Sequence, residues 1–326
     1  MTQSLPLQVA ALSRRRAVLL GSGLAAASFA APAFADNDGD KDGSGGSRAS
    51  SLPVDHMNQI LGAKGQREKK VVGYSFVRSD LHGSLPGGIQ VLPEALLAGD
   101  VYFQAIGNNR AIVNADFCLA PDETNKFIDA LVSNGLTLQA FHQHLFDLSP
   151  MAWFQHFRGE GEPIALATAV ANAIKVTATP LPQPSPPPSS ATPLPTDRLK
   201  KILGGDSHVH GHGVVEVDVK RAEHFTLNDQ HISRGLNIAT NIYFQPLDHA
   251  GHQALVIPDF GMLAKEVDPV MRKMRGQGWT VGCLYNQETA EHPQLFWSHM
   301  WKTGAPETLA QEIRHGLELC NMRFSA

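Results

Sequence analysis

Laid against itself at an offset of 143 residues, the chain matches over most of its length, so whatever it folds into it must fold into twice. Gly161 falls on Gly304, Pro163 on Pro306, His156 on His299, and Leu166-Ala167 on Leu309-Ala310. Upstream, Asp116-Phe117 meets Asp259-Phe260, and VVGYSFVRSD (Val71 to Asp80) meets VVEVDVKRAE (Val214 to Glu223). Tyr102-Phe103-Gln104 matches Tyr243-Phe244-Gln245 after a two-residue indel. Each half, 52–176 and 196–326, is therefore one unit of ~120 residues, long enough to bury a core of its own.

Between the halves lies a proline tract, 177–195, which reads as a stiff polyproline II tether. Ahead of the first unit, the stretch 36–51 is acidic and Gly/Ser-rich, without the apolar surface that would offset the entropy of ordering it. The first 35 residues read as a signal peptide. Ser13-Arg14-Arg15-Arg16 precedes a weakly apolar run from Ala17 to about Ala30, and Ala33-Phe34-Ala35 makes an A-x-A end. The paired arginines resemble a twin-arginine leader, with cleavage expected before Asp36 and a periplasmic or secreted product handed over by the twin-arginine export machinery. Beyond the leader no run approaches the ~18 apolar residues that span a bilayer. A net charge of −4 without Lys/Arg clusters gives no ground for nucleic acid as a partner. Three cysteines, Cys118, Cys283 and Cys320, are too few and too odd to make a disulfide framework.

Within a unit the periodicity predicts an α+β fold, an antiparallel sheet covered by helices on one face. DETNKFIDALVSNG places Phe127, Ile128, Leu131 and Val132 at helical spacing, with Gly135 as a stop. A second helix opens on Pro163, and its counterpart buries Leu309, Ile313 and Leu317. Between the helices, LTLQAFHQHLF and MAWFQHF alternate and read as a hairpin turning around Ser149. One face would carry His142, His144 and His156, with His142 directly opposite His156. The other would give Phe141, Leu145, Trp153 and Phe157, and in the second unit Leu284, Phe296 and Met300, to the helices.

Three neutral imidazoles on one face suit a divalent transition metal, zinc first, with copper, iron or manganese as alternatives. The competing reading is a set of solvated or hydrogen-bonded histidines on a polar sheet face. HVHGHG (His208, His210, His212) lacks a counterpart in the first unit and reads as an exposed run, and His249 and His252 as solvated turn residues. Arg78 and Asp80, followed by Glu94, read as a structural ion pair, and Cys118 in ADFCLA as a buried thiol.

The order RSDL (Arg78 to Leu81), a mid-unit Asp116, then H-x-H, a proline, a third histidine in an aromatic strand, G-x-G and a Leu-Ala helix resembles the LppY/LpqO family, a domain of unknown function. The resemblance runs from Leu52 to Leu319 and brings no established activity. That family's hairpin usually reads His-Asn-His, with a Glu before the proline and an Arg after it. Here Gln143 stands between the histidines, Leu148 replaces the Glu and Met151 the Arg, with Asp147 one residue away. The second unit has Tyr285, Asn286 and Gln287 in place of the triplet but carries Glu291 where the acid is expected. A site would then belong to the first unit, with the second a degenerate copy in which His299 and Glu291 are dispensable. Three functions fit: an exported metal-dependent enzyme, a periplasmic binding protein for a metal or small molecule without turnover, and a structural or interaction module.

Overall fold

The computed structural model describes residues 52–184, 191–236 and 238–325. The leader, the acidic stretch 36–51 and the middle of the proline tract lie outside the described residues. The first unit runs α1 (Val54–Leu61), β1 (Gln66–Glu68), β2 (Val71–Val77), a small ribbon of β3 (Gly83–Leu85) and β4 (Ile89–Val91), β5 (Ala98–Gly107), β6 (Arg110–Leu119), α2 (Thr124–Ser133), β7 (Thr137–His142), β8 (Trp153–Gly161) and α3 (Pro163–Ile174). The second runs α4 (Thr196–Leu203), β9 (Asp206–Val209), β10 (Val215–Arg221), β11 (Phe225–Leu227), β12 (Gln230–Ile232), β13 (Ala239–Pro246), β14 (Ala254–Leu263), α5 (Ala264–Gly276), β15 (Thr280–Val281), β16 (Glu291–His292), β17 (Leu295–Gly304), α6 (Pro306–Leu317) and β18 (Met322–Arg323).

The main sheets have orders β1-β2-β5-β6-β8-β7 and β15-β17-β14-β13-β10-β18, all pairs antiparallel, with β9 also paired to β10. The path β2-β5-β6-β8-β7 therefore repeats as β10-β13-β14-β17-β15, and the duplication is one of topology as well as sequence.

Alternation along β6 explains the layering. Val113, Ala115 and Phe117 point to one face and pack with Phe127, Leu131, Val170 and Ile174 of the helices. Ile112, Asn114, Asp116 and Cys118 point to the other. That other face is not open to solvent. Cys118, Leu145 and Phe154 share a core with Leu255 and Ile257 of β14, and Tyr102 and Ile112 share another with Leu295 and Trp297 of β17. The molecule is thus a helix–sheet–sheet–helix sandwich, and each unit supplies one sheet.

The Tyr-Phe-Gln repeat turns out to be a reciprocal clamp across this interface. Gln104 donates to the His231 carbonyl at 2.9 Å and accepts from the Ser233 amide at 2.7 Å. Gln245 does the same in the other direction, donating to the Gln90 carbonyl at 2.7 Å and accepting from the Leu92 amide at 2.8 Å. The described parts of the proline tract are fastened too. Gln183 accepts from the Val77 amide at 3.1 Å, and Thr192 donates to the Gly213 carbonyl at 2.7 Å.

Several expectations change. Phe157 and Met300 face the helices as expected, but Leu145 lies in the core between the units and Phe141 and Leu284 are exposed. The strand carrying the H-x-H pair ends at His142, so His144 comes from the loop after it. A bulge between Leu138 and Ala140 places Ala140 opposite His156 and His142 opposite Phe154. Arg78 does not pair with Glu94. It is fully buried and bonds Asp80, Glu123 and the Cys118 carbonyl, while its equivalent Arg221 bonds Glu223, Glu266 and the Gly261 carbonyl. Glu94 instead meets His212 of the other unit at 2.5 Å.

Candidate metal centre

Strand register lines up a polar row across each sheet. In the first it passes from Ser75 on β2 to Asp100 on β5, Asp116 on β6 and His156 on β8. In the second it passes from Asp218 on β10 to Asn241 on β13, Asp259 on β14 and His299 on β17. Directly paired residues share a face, and these faces are the ones that meet in the middle of the sandwich. Two rows rich in carboxylates are therefore buried against each other, an arrangement that costs free energy unless something compensates the charge.

At the histidine end the side chains crowd together. The His144 and His156 Nε2 atoms each lie 3.4 Å from an oxygen of Asp116, and His299 Nδ1 lies 3.5 Å from Asp259 Oδ1. The His144 ring stacks on His299 at 3.6 Å between centroids, His142 on Tyr285 at 3.6 Å, and the His142 and His156 centroids are 5.1 Å apart. Gly282 makes this approach possible, because a Cβ there would sit 2.2 Å from the His144 carbonyl oxygen. Both ring nitrogens of His142, His144 and His156 are buried without a hydrogen-bond partner, as is Asp116 Oδ1. An unmet polar atom of this kind costs about 1–3 kcal/mol, so seven in one place call for a ligand.

Burial pushes the imidazoles below the ordinary histidine range, His142, His144 and His299 well below it and His156 to about 4. Their neighbouring imidazoles add to the effect, while Asp116 partly offsets it at His156. Burial also raises Asp116 to about 6, with His156 opposing, and raises Asp259 well above its usual value. The rings are therefore neutral, the form in which imidazole binds a metal. Two sets have all their ligand atoms within 4.8 Å of one another, His142-His144-His299 and Asp116-His144-His156, and so could hold a metal ion.

The structure thus brings His142, His144 and His156 together and adds Asp116 and His299, which places the second unit in the cluster instead of beside it. Asp147 is not part of it, since both its oxygens lie 3.2 Å from the Trp301 indole nitrogen. Glu291 is spent on the Leu295 amide at 2.9 Å, and burial raises it to about 7. Cys118 is a buried free thiol, as expected, pushed far up by burial. Cys283 lies 3.5 Å from His299 Nδ1. His249 and His252 are exposed. The HVHGHG run is not the exposed stretch expected of it. His210 is buried with Nε2 2.7 Å from Glu216, and only His212 is half exposed.

The role of Asp116 could have been suspected from its recurrence as Asp259, each an acid inside an apolar strand and each followed by phenylalanine. His299 was visible as the one histidine kept in both hairpins. Asp100, Asn241 and Tyr285 left no comparable signal, because only strand register brings them to the site.

A family model described as Domain of Unknown Function (DUF1259) matches residues 55–176 and again 197–319. No curated protein and no solved structure matches the chain. No helix among the described residues is long and apolar enough to cross a membrane. With a match over most of its length, and in duplicate, the chain belongs to the family of the Domain of Unknown Function (DUF1259) and carries two tandem copies of that domain.

Proposed function

We propose that this is an exported protein that holds one divalent transition metal between its two units, with His142, His144 and His156 as ligands and Asp116 and His299 completing the set. The observation that carries this reading is the group of six buried imidazole nitrogens without hydrogen-bond partners, set beside a carboxylate. Neutral imidazoles with a carboxylate suit zinc, and also iron, copper or manganese. A cavity of about 70 Å³ abuts His144, Asp116 and His299, leaving room for a further ligand at the ion. That room supports a metal-dependent enzyme, in which the metal polarises a substrate or activates water, over a closed storage site. The LppY/LpqO resemblance, read from the same hairpins, belongs to this proposal.

The direct test is the metal content of protein purified without an affinity tag. About one first-row metal ion per chain is expected, falling to background in a His142→Ala/His144→Ala variant that keeps its circular dichroism spectrum. Equal metal content in the two proteins would remove the site.

Export rests on Arg14 to Arg16, the apolar run after them and Ala33-Phe34-Ala35. Changing the three arginines to lysine is expected to leave precursor in the cytoplasm, and exported wild-type protein is expected to begin at Asp36. Normal export of the lysine variant, or a mature chain of different intact mass, contradicts this part of the reading.

A further inference from the structure

The cavity beside the histidines extends along the two polar rows away from them, and its far end has its own chemistry. Asp100, Glu216, Asn241 and Tyr243 line it there, together with Ser75. Glu216 is 1% exposed, and its Oε2 faces His210 while Oε1 has no hydrogen-bond partner. Asn241 Oδ1 is likewise without one. A carboxylate and an amide oxygen accept hydrogen bonds, so Glu216 Oε1 and Asn241 Oδ1 offer acceptors to a guest. No lysine or arginine is among the residues lining the cavity, and the one histidine at this end, His210, is already paired with Glu216.

These acceptors are not focused on a point. Among the described residues the sets that bring three ligand atoms within 4.8 Å both lie at the histidine end, and neither includes Asp100 or Glu216. A bare ion needs such a focus, whereas an ammonium group offers three donors in different directions and can also rest on the face of an aromatic ring. We propose that the cavity end formed by Asp100, Glu216, Asn241 and Tyr243 is a subsite for the ammonium group of a small organic amine whose other end reaches the metal. The proposal rests on the metal reading above for that other end. A cavity of about 70 Å³ fits a guest of only a few heavy atoms.

Calorimetric titration of the metal-loaded full chain with ethanolamine and with ethylene glycol tests it, since the two probes match in size and differ in charge. Ethanolamine is expected to bind at least about tenfold more tightly than the diol, as the loss of a charge-assisted hydrogen bond implies. Glu216→Gln and Asp100→Asn are each expected to weaken ethanolamine binding about tenfold or more without lowering the metal content. Both replace a carboxyl by an amide of the same shape, so both should fold. Equal affinity for the two probes, no ethanolamine binding by the wild type, or unchanged affinity in both variants would overturn the subsite. Added magnesium that displaces ethanolamine and brings the metal count to two per chain would assign the site to a second ion instead. Metal content and amine affinity are separate readouts. Wild-type protein that holds no first-row metal yet binds ethanolamine, with the same sensitivity to the two variants, would keep the subsite and sink the metal reading.

Discussion

Replacing Arg78 by methionine is expected to destabilise the fold by about 3–5 kcal/mol, the loss typical of removing one partner from a buried ion pair. The guanidinium is fully buried and all of its hydrogen bonds are made within the protein. Nε and Nη2 donate to Asp80 at 3.0 and 2.7 Å, Nη1 and Nη2 to Glu123 at 2.8 and 3.0 Å, and Nη1 to the Cys118 carbonyl at 2.7 Å. Glu123 in turn accepts from the amides of Ala120 at 2.8 Å and Ala178 at 2.6 Å, which ties the start of α2 to the chain leaving α3. Methionine would fill much of the space and leave the buried Glu123 without its counter-charge, while Asp80 can turn to solvent. Arg221→Met is expected to have an effect of the same size. Its bonds to Glu223, Glu266 and the Gly261 carbonyl repeat the pattern, and Glu266 accepts from the amides of Leu263 and Asn321 as Glu123 does from Ala120 and Ala178. Urea denaturation at fixed metal load measures both, and a loss below about 1 kcal/mol in either variant would mean that the pair is solvated in solution.

Metal affinity is expected to fall about tenfold per pH unit as pH drops below about 6, and Asp116 is expected to set that onset. Burial raises Asp116 to about 6, so below that pH it holds a proton that a metal must displace. The imidazoles behave in the opposite sense. Burial lowers them, His156 to about 4, so they stay neutral through the range where an exposed histidine would already be charged. The histidine titration near 6.5 that composition alone suggests is therefore not the controlling one. In Asp116→Asn the limb beginning near pH 6 should vanish, leaving a decline that starts only as His156 titrates. Competition titrations with a chromophoric chelator between pH 4 and 8 measure this. A decline centred on 6.5 and unaltered in Asp116→Asn would mean that the ligands are exposed histidines.

Much of the fold was legible because the chain states it twice. The offset of 143 residues located both units, and helical spacing found the stripe of Leu309, Ile313 and Leu317 that packs on the second sheet. What stayed hidden was the partner of the histidine face. Alternation shows that His142 and His156 point away from the helices, but it does not say whether water or a second sheet lies there. The Tyr-Phe-Gln repeat held that information without revealing it, since Gln104 and Gln245 look like ordinary strand residues until each is seen bonding the other unit's backbone. The bulge near Ala140 was illegible too, because nothing in the alternation of LTLQAFHQH marks the extra residue. Once the sheets face each other, the acids at 100, 116 and 259, which look isolated along the chain, fall into opposed rows.

The most direct measurement is anomalous X-ray diffraction at the absorption edge of the metal found in untagged protein. One peak is expected between the two sheets, within about 2.0–2.2 Å of an imidazole nitrogen of His144 in the first unit and of His299 in the second. A peak bound to one unit alone, a peak at the exposed His249 and His252, or no peak between the sheets would contradict a metal site built jointly by the two halves.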